Sequence, residues 1–289
     1  MEIQSECYPC IVKMLGTVAG KVLGDGAAAE FVARIEAGEA FQGNPTGRRA
    51  PLLVRDAWIE LVRQLGDPDP LADLKRRQNE AALALLPAAR QTVSAAANPL
   101  ATALALAIIG NSLDVLIPDQ AGGDDLMARL VTARLHPEQL AEFRRRLAGA
   151  KTIAYLGDNC GEAVFDRLLI ETITTWFDVE VTFIARARPA LNDVTLAEAR
   201  AAGLHLVARL IDNGIDDALP STLLELLGPE ARAVIEQADL VVSKGGGNFE
   251  MLEGHPALAG RVAFLVDGKC DPLCRENDVR PGAPILRNE

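Results

Sequence analysis

Two pairs of polar residues, each just after a short apolar run, have the side chains that a divalent metal ion prefers. Asp158 and Asn159 follow one run, and Asn192 and Asp193 follow another. Carboxylate and amide oxygens are hard ligands suited to Mg²⁺ or Mn²⁺. Either pair alone could be an ordinary turn or helix cap, because aspartate and asparagine are common in both. Two pairs at adjacent strand ends favour a metal site in which Asp158, Asn159 and Asp193 supply the oxygens.

A glycine-rich loop near residue 245 has the features of a phosphate-binding site. Ser243 and Lys244 are followed by Gly245, Gly246 and Gly247, and then by the start of a helix. The N–H groups of consecutive glycines can approach an anion closely, a helix start adds a positive dipole end, and the lysine adds a compact cation. The loop is not a P-loop, because its lysine precedes the glycines. A flexible glycine turn is the alternative, but the position after a strand favours phosphate binding.

These residues lie in the second half of the chain, where the pattern of apolar residues is that of an α/β fold. Short β-branched runs predict strands over residues 152–156, 179–185, 205–211, 240–243 and 262–266. Helical periodicity predicts helices over residues 162–176, 195–202, 217–226 and 229–237. This alternation is typical of a Rossmann-like, doubly wound, mostly parallel sheet, whose ligands bind beyond the carboxyl ends of the strands. We therefore expect the candidate residues to meet at one edge of the sheet.

The first half of the chain has helical periodicity throughout and no convincing strand. The first predicted helix ends at a break near residues 24–26, and others cover residues 27–37, 52–65, 71–97, 100–109, 123–134 and 137–148. We predict two domains: an all-helical N-terminal region over residues 1–149, and a metal- and phosphate-binding α/β domain over residues 150–289.

Charge and cysteine content exclude several classes of function. The chain has 289 residues and a formal net charge of −11, most of which lies after residue 150. Such a field repels phosphate backbones, so nucleic acid and anionic membranes are not expected as partners. The longest near-apolar run, residues 100–109, is about half of the ~20 residues that span a bilayer. With no basic N-terminal leader and an odd number of cysteines, 5, we expect a cytoplasmic protein without a disulfide framework.

Three motifs, in this order, resemble those of the damage-control phosphatases, which are metal-dependent phosphatases once catalogued as a domain of unknown function. They are Gly-Asp-Asn-Cys-Gly-Glu at 157–162, Leu-Asn-Asp-Val-Thr at 191–195 and Ser-Lys-Gly-Gly-Gly-Asn-Phe-Glu at 243–250. The likeness extends over essentially the whole chain, and Cys7-x-x-Cys10 is similar to the prokaryotic and archaeal subgroup. One departure is visible, since Gly246 stands where the family usually has glutamine.

The resemblance implies a phosphatase that uses Mg²⁺, Mn²⁺, Co²⁺ or Ni²⁺ to hydrolyse small phosphomonoesters, such as sugar phosphates or damaged phosphometabolites. By motif match, Asp158, Asn159 and Asp193 would bind the metal. The residues implied around the phosphate and the attacking water are Asn111, Glu162, Asn192, Ser243, Lys244 and the backbone of Gly245, Gly246 and Gly247. The implied partner is a small phosphorylated metabolite, and the sequence does not determine an oligomeric state.

Asp158, Glu162 and Lys244 are the candidate catalytic residues. Asp158 would bind the metal and contact the nucleophile, and Lys244 would stabilise the phosphate oxygens. Glu162 would position or deprotonate the attacking water, although a first-turn glutamate also simply complements a helix dipole. Haloacid-dehalogenase-type phosphatases, which attack through a phospho-aspartate, normally have Asp-x-Asp after the first strand. This chain has Asp-Asn instead, which favours direct attack by water.

Two other functions are compatible with parts of the sequence. The loop at 157–162 superficially resembles the nucleoside loop of an S-adenosylmethionine-dependent methyltransferase, which leaves the other two motifs unexplained. A non-enzymatic module could bind metal through Cys7 and Cys10, with Cys270 and Cys274 needed for a closed site; packing and redox roles for these cysteines stay open. Arg186 and Arg188 are assigned no role, because lone surface arginines are more often solvated.

Overall fold

A computed structural model describes residues 1–38, 41, 48–110 and 123–289. The candidate residue Asn111 lies outside these ranges. Before the first strand the chain forms helices α1 (Cys7–Leu23), α2 (Asp25–Ala37), α3 (Ala50–Leu65), α4 (Ala72–Ala95), α5 (Pro99–Ile109), α6 (Gly123–Thr132) and α7 (Pro137–Gly149). Proline in the first turn starts α3, α5 and α7, where its missing N–H costs no hydrogen bond. Within the described ranges, no helix combines the length and apolarity needed to cross a bilayer.

The second half of the chain alternates strands and helices. The strands are β1 (Thr152–Leu156), β2 (Glu180–Ala185), β3 (Arg209–Asp212), β4 (Leu240–Lys244), β5 (Val262–Asp267) and β6 (Pro284–Asn288). The helices are α8 (Glu162–Trp176), α9 (Leu196–Ala201), α10 (Pro229–Gln237), α11 (Gly246–Leu252) and α12 (Asp271–Glu276). The six strands form one sheet in the order β3-β2-β1-β4-β5-β6, in which β1 to β5 are parallel and β6 pairs antiparallel with β5. The predicted doubly wound, mostly parallel α/β fold is confirmed.

The order of the strands reverses between β1 and β4, which are neighbours in the sheet although β2 and β3 lie between them in the chain. A crevice opens at such a switch point beyond the carboxyl ends of the strands. Both β4 and β5 are buried along their whole length, as expected when helices cover the two faces of a parallel sheet. By this rule a ligand is expected between the loops that follow β1 and β4.

Helices from both halves of the chain build the hydrophobic core. One apolar cluster joins side chains of α4, α5 and α7 to one face of the sheet and to α8. A second cluster covers the opposite face with α10 and α11, and α1, α2 and α3 form a third cluster. Because helices before and after residue 149 share the first cluster, the division into two domains at that residue stays a prediction.

Several sequence-predicted elements differ from the structure. The predicted helix over 217–226 is wrong: only a 3₁₀ turn, Leu224–Leu226, forms there, since Pro220 lacks an N–H and disfavours helical geometry in the residue before it. The strand predicted over 205–211 begins at Arg209, after a 3₁₀ turn at Leu204–Leu206. Helix α12 and the antiparallel edge strand β6 were not predicted, because both are short and lack the pattern of a buried parallel unit.

Candidate active site

The loops that follow β1 and β4 meet at the switch point. Leu156 pairs with Ser243 in the sheet, so Asp158 and Gly245 leave the sheet side by side. A Cβ atom on Gly245 would lie 1.9 Å from Oδ2 of Asp158, which means that the carboxylate lies directly against the glycine backbone. Gly245 has φ 79° and ψ 163°, a conformation that is essentially restricted to glycine. Two of the three predicted motifs are therefore in direct contact.

The loop after β2 folds onto the loop after β1. Asn159 and Asp193 form an antiparallel bridge, the N–H of Cys160 donates to the carbonyl of Asn192 at 2.9 Å, and the N–H of Val194 donates to the carbonyl of Asp158 at 2.8 Å. Asp158, Asn159, Asn192 and Asp193 are all buried. The structure thus brings the two polar pairs together, as the strand order predicts.

The side chains at this contact form a crowded anionic group. The amide Nδ2 of Asn159 donates to Oδ2 of Asp158 at 2.9 Å. Burial, with the negative charges of Asp193 and Glu162, raises the pKa of Asp158 well above its usual value, and Arg186 and Lys269 act in the opposite direction. A buried cluster with excess negative charge is stabilised by a cation.

The donor set at this cluster fits a hard divalent cation, because it consists of two carboxylates and one amide. Across the described ranges, no group of three or more histidine, cysteine, aspartate or glutamate side chains is arranged to hold a metal ion. The candidate set has only two such residues, Asp158 and Asp193, and Asn159 is the third. All five cysteines are free thiols.

Arg186 lies at the centre of the site, contrary to the expectation that it is solvated. Its Nε donates to Oδ2 of Asp193 at 2.6 Å, its Nη1 to Oγ1 of Thr222 at 3.1 Å, and its Nη2 to Oδ1 of Asn248 at 3.3 Å. Nη2 also lies 3.8 Å from Oδ1 of Asp158. Nothing in the local sequence separates Arg186 from Arg188, which is exposed and pairs with Asp216.

Replacement of Arg186 by methionine is expected to lower the free energy of unfolding by about 3 kcal/mol, because it leaves the buried Asp193 carboxylate without its counter-charge. Arg188→Met is the matched control, and the exposed pair that it removes is worth about 0–1 kcal/mol. Urea denaturation of the two metal-free variants measures the difference. Equal losses in both would contradict the placement of Arg186.

Lys244 pairs with groups in the protein interior. Its ammonium is fully buried and donates to the carbonyl of Ala107 at 2.8 Å, to Oδ1 of Asp166 at 2.6 Å and to Oε1 of Glu162. Burial opposes its charge, but the two carboxylates outweigh burial and raise its pKa to about 12. An ammonium has three protons, and all three have protein acceptors here. A buried cation needs carboxylate partners, and Lys244 has two of them; its predicted role at the phosphate stays a prediction.

The rest of the glycine loop is held by Asn248, a residue of the third motif with no predicted role. Its Nδ2 donates to the carbonyls of Gly157 at 3.2 Å and Lys244 at 2.8 Å, so it joins the loops after β1 and β4. A Cβ on Gly246 would have no atom within 4 Å, whereas one on Gly247 would lie 2.7 Å from the carbonyl of Pro220. Space at the loop therefore opens at Gly246.

The helical half contributes to the site through Asn79 of α4. Its Oδ1 accepts from the N–H of Gly161 at 2.7 Å, and its Nδ2 donates to the carbonyl of Glu198 at 3.1 Å. Gly161 has φ 78° and precedes α8, so Asn79 fixes the turn that carries Glu162. No sequence signal marks Asn79, because its partners lie about 80 and 120 residues away.

The chain is similar to known proteins along its length. The sequence profile of the damage-control phosphatase ARMT1-like domain matches residues 3–285. The chain is 32% identical to a damage-control phosphatase of Archaeoglobus fulgidus, over 77% of each chain. It is 27% identical to damage-control phosphatase PH1575 of Pyrococcus horikoshii, over 100% of this chain and 99% of the relative.

A solved structure also matches over its whole length. It is the crystal structure of a DUF89 family protein, PH1575 from Pyrococcus horikoshii, which superposes with a TM-score of 0.82 at 25% identity and with full coverage of both chains. The motifs, the shared sheet and the extent of these matches lead to one conclusion: the chain belongs to the damage-control phosphatase ARMT1-like family.

Proposed function

We propose that this protein is a divalent-metal-dependent phosphatase that hydrolyses small phosphomonoesters, such as sugar phosphates or damaged phosphometabolites. Family membership supports a phosphatase that acts on damaged metabolites. The observation that carries the metal-dependent mechanism is the contact of the Asp158 carboxylate with Gly245, since it puts an anionic, oxygen-rich cluster beside a glycine loop. A cation at such a place reverses the local sign of the field, so an acidic protein can accept an anionic substrate.

In this proposal Asp158, Asn159 and Asp193 hold Mg²⁺, Mn²⁺, Co²⁺ or Ni²⁺. When bound, such an ion neutralises charge on the phosphoryl oxygens and polarises the phosphorus–oxygen bond. Arg186 keeps Asp193 in place through its 2.6 Å hydrogen bond. The amide of Asn159 is fixed by its bond to Asp158 at 2.9 Å, so both side chains are held before a ligand arrives.

The phosphate is assigned to the backbone N–H groups of the glycine loop, with support from Asn192 and Ser243. Oγ of Ser243 is buried and has no hydrogen-bond partner in the part of the chain that the structure describes. A buried hydroxyl without a partner is unfavourable, which supports a role for Ser243 toward a ligand. Asn111, outside the described residues, stays a predicted contact from the helical half.

Glu162 is the proposed residue that positions or deprotonates the attacking water. It is buried beside the metal-binding loop, where the N–H of Asn159 approaches its Oε2 at 3.5 Å. Lys244, with all its protons bound, acts on the reaction through Glu162 and not through the phosphate. The hydrogen bond from Asn159 holds the Asp158 carboxylate in place, which suits a metal ligand better than a nucleophile. We therefore favour direct attack by water over a phospho-aspartate.

A panel of phosphomonoesters tests the proposal. Purified protein is stripped with a chelator and assayed for phosphate release with Mg²⁺, Mn²⁺, Co²⁺ or Ni²⁺, against sugar phosphates and a chromogenic aryl phosphate. We expect no turnover without metal and turnover with at least one ion. Hydrolysis that persists after chelation would contradict metal dependence, and the absence of hydrolysis with every ion and ester would contradict the function.

A further inference from the structure

Four buried polar side chains form a hydrogen-bonded series from the interior of the sheet to the candidate site. The hydroxyl of Tyr155 donates to Oδ1 of Asp166 at 2.6 Å, and the same oxygen accepts from Nζ of Lys244 at 2.6 Å. Nζ of Lys244 in turn donates to Oε1 of Glu162. All four side chains are buried, so water does not substitute for any of these contacts.

The fold places these four groups on one face of the sheet. Tyr155 pairs with Val242, and Lys244, two residues further along β4, projects to the same side. Glu162 and Asp166 are one helical turn apart on α8, so they share the face of the helix that lies on the sheet. The ammonium of Lys244 therefore lies between two carboxylates of one helix.

Stability alone is a weak reason for this arrangement. Burying charges has a large desolvation cost, and replacing a buried ionic cluster with apolar side chains is often neutral or stabilising. Burial and the negative charge of Glu162 together raise the pKa of Asp166 to about 6, in spite of the neighbouring Lys244 ammonium. Oδ2 of Asp166 also has no hydrogen-bond partner among the residues described. An ionic cluster that is this unfavourable to bury points to a function. The function is expected at Glu162, where the series of side chains reaches the proposed metal-binding loop.

We infer that Asp166 is a positioning residue of the active site: it shares the Lys244 ammonium with Glu162 and thereby fixes the direction of the Glu162 carboxylate. This inference rests on the proposed role of Glu162 at the attacking water. Lys244 has one backbone acceptor, Ala107, and two carboxylates. Without Asp166 the ammonium loses one of its three hydrogen-bond acceptors and shifts. The Glu162 carboxylate, which is bonded to it, shifts as well.

The test compares Asp166→Ala with Asp166→Asn, which keeps an oxygen that accepts from Tyr155 and Lys244. Thr172→Val is the control, because Thr172 is a buried polar residue of the same helix that bonds only the carbonyl of Leu168, at 2.8 Å, among the described residues. For Asp166→Ala we expect kcat to fall about 10–100-fold, with KM and the dissociation constant of the metal changed by less than about 2-fold. Asp166→Asn should recover kcat to within about 3-fold of the parent protein.

A second readout does not depend on activity. A buried ammonium with three acceptors exchanges its protons slowly, so the ¹⁵Nζ signal of Lys244 should be visible by NMR in the parent protein, Asp166→Asn and Thr172→Val, and lost in Asp166→Ala. An unchanged kcat in Asp166→Ala, or a loss of kcat together with metal affinity and thermal stability, overturns the inference. If the parent protein hydrolyses no phosphomonoester with any ion, the proposed function fails and the role of Glu162 fails with it, whereas the NMR signal still reports whether Asp166 anchors Lys244.

Discussion

Asp158→Asn and Asp193→Asn are each expected to lower metal-dependent phosphatase activity by at least about 100-fold, the scale on which removal of one charge-stabilising group acts. Each change removes a carboxylate from the candidate metal set and keeps the shape of the side chain. Loss of the Asp158 charge relieves its repulsion with Asp193. Loss of the Asp193 charge breaks the buried pair with Arg186 and should lower the free energy of unfolding by about 3 kcal/mol, so neither change is expected to unfold the protein. Activity and metal binding are therefore expected to fall while the fold is retained.

The measurement is steady-state phosphate release at saturating metal, with calorimetric titration of the ion into each variant. Asp216→Asn is the control, since Asp216 is exposed and pairs with Arg188 at the surface. It should keep the activity and the metal affinity of the parent protein. Full activity in both Asp158→Asn and Asp193→Asn would show that the metal and the chemistry lie elsewhere.

Gly245→Ala is expected to abolish activity through a steric effect. Its Cβ would lie 1.9 Å from Oδ2 and 2.2 Å from Cγ of Asp158, so the carboxylate would have to leave its position. The backbone at φ 79° and ψ 163° adds a strain of about 1–3 kcal/mol for any residue with a Cβ. We expect weaker metal binding, at least about 100-fold lower activity and a lower unfolding temperature.

Gly246→Ala is the matched control for Gly245→Ala. It changes the next residue in the same way, but a Cβ there would meet no atom within 4 Å, and alanine favours a helix over glycine by about 1 kcal/mol. Its stability should be equal or higher, and its metal affinity close to that of the parent protein. Equal loss of metal affinity in both variants would contradict the contact between Gly245 and Asp158 and would instead indicate that the loop needs glycine at every position.

Local patterns predicted much of the fold. Each parallel strand and the helix after it are built from adjacent residues, so Thr152–Leu156 and Glu162–Trp176 could be recognised without knowledge of the rest of the chain. The predicted helix over 217–226 failed because Pro220 outweighs the periodicity around it. Edge strand β6 is specified by its pairing with β5, which is a tertiary contact that a local pattern does not contain.

For the candidate site, too, local sequence predicted one part and tertiary contacts specified the rest. The sequence by itself determined which oxygens and glycines stand at the strand ends, because a position after a parallel strand is a position at one edge of the sheet. The sequence did not determine which side chains near the site are buried. Arg186 and Arg188 are two residues apart and have the same chemistry, yet only Arg186 is buried among carboxylates.

Tertiary structure alone decided what Lys244 and Asn79 do. The partners of Lys244 are Ala107, Glu162 and Asp166, which lie 78 to 137 residues away in the chain. Asn79 reaches Gly161 across 82 residues. The chemistry of a side chain is fixed by its type, but its charge state, its direction and its access to a ligand depend on which groups the folded chain packs around it. Desolvation and hydrogen bonding act through space, and in this protein they pair the buried ammonium of Lys244 with Glu162 and Asp166.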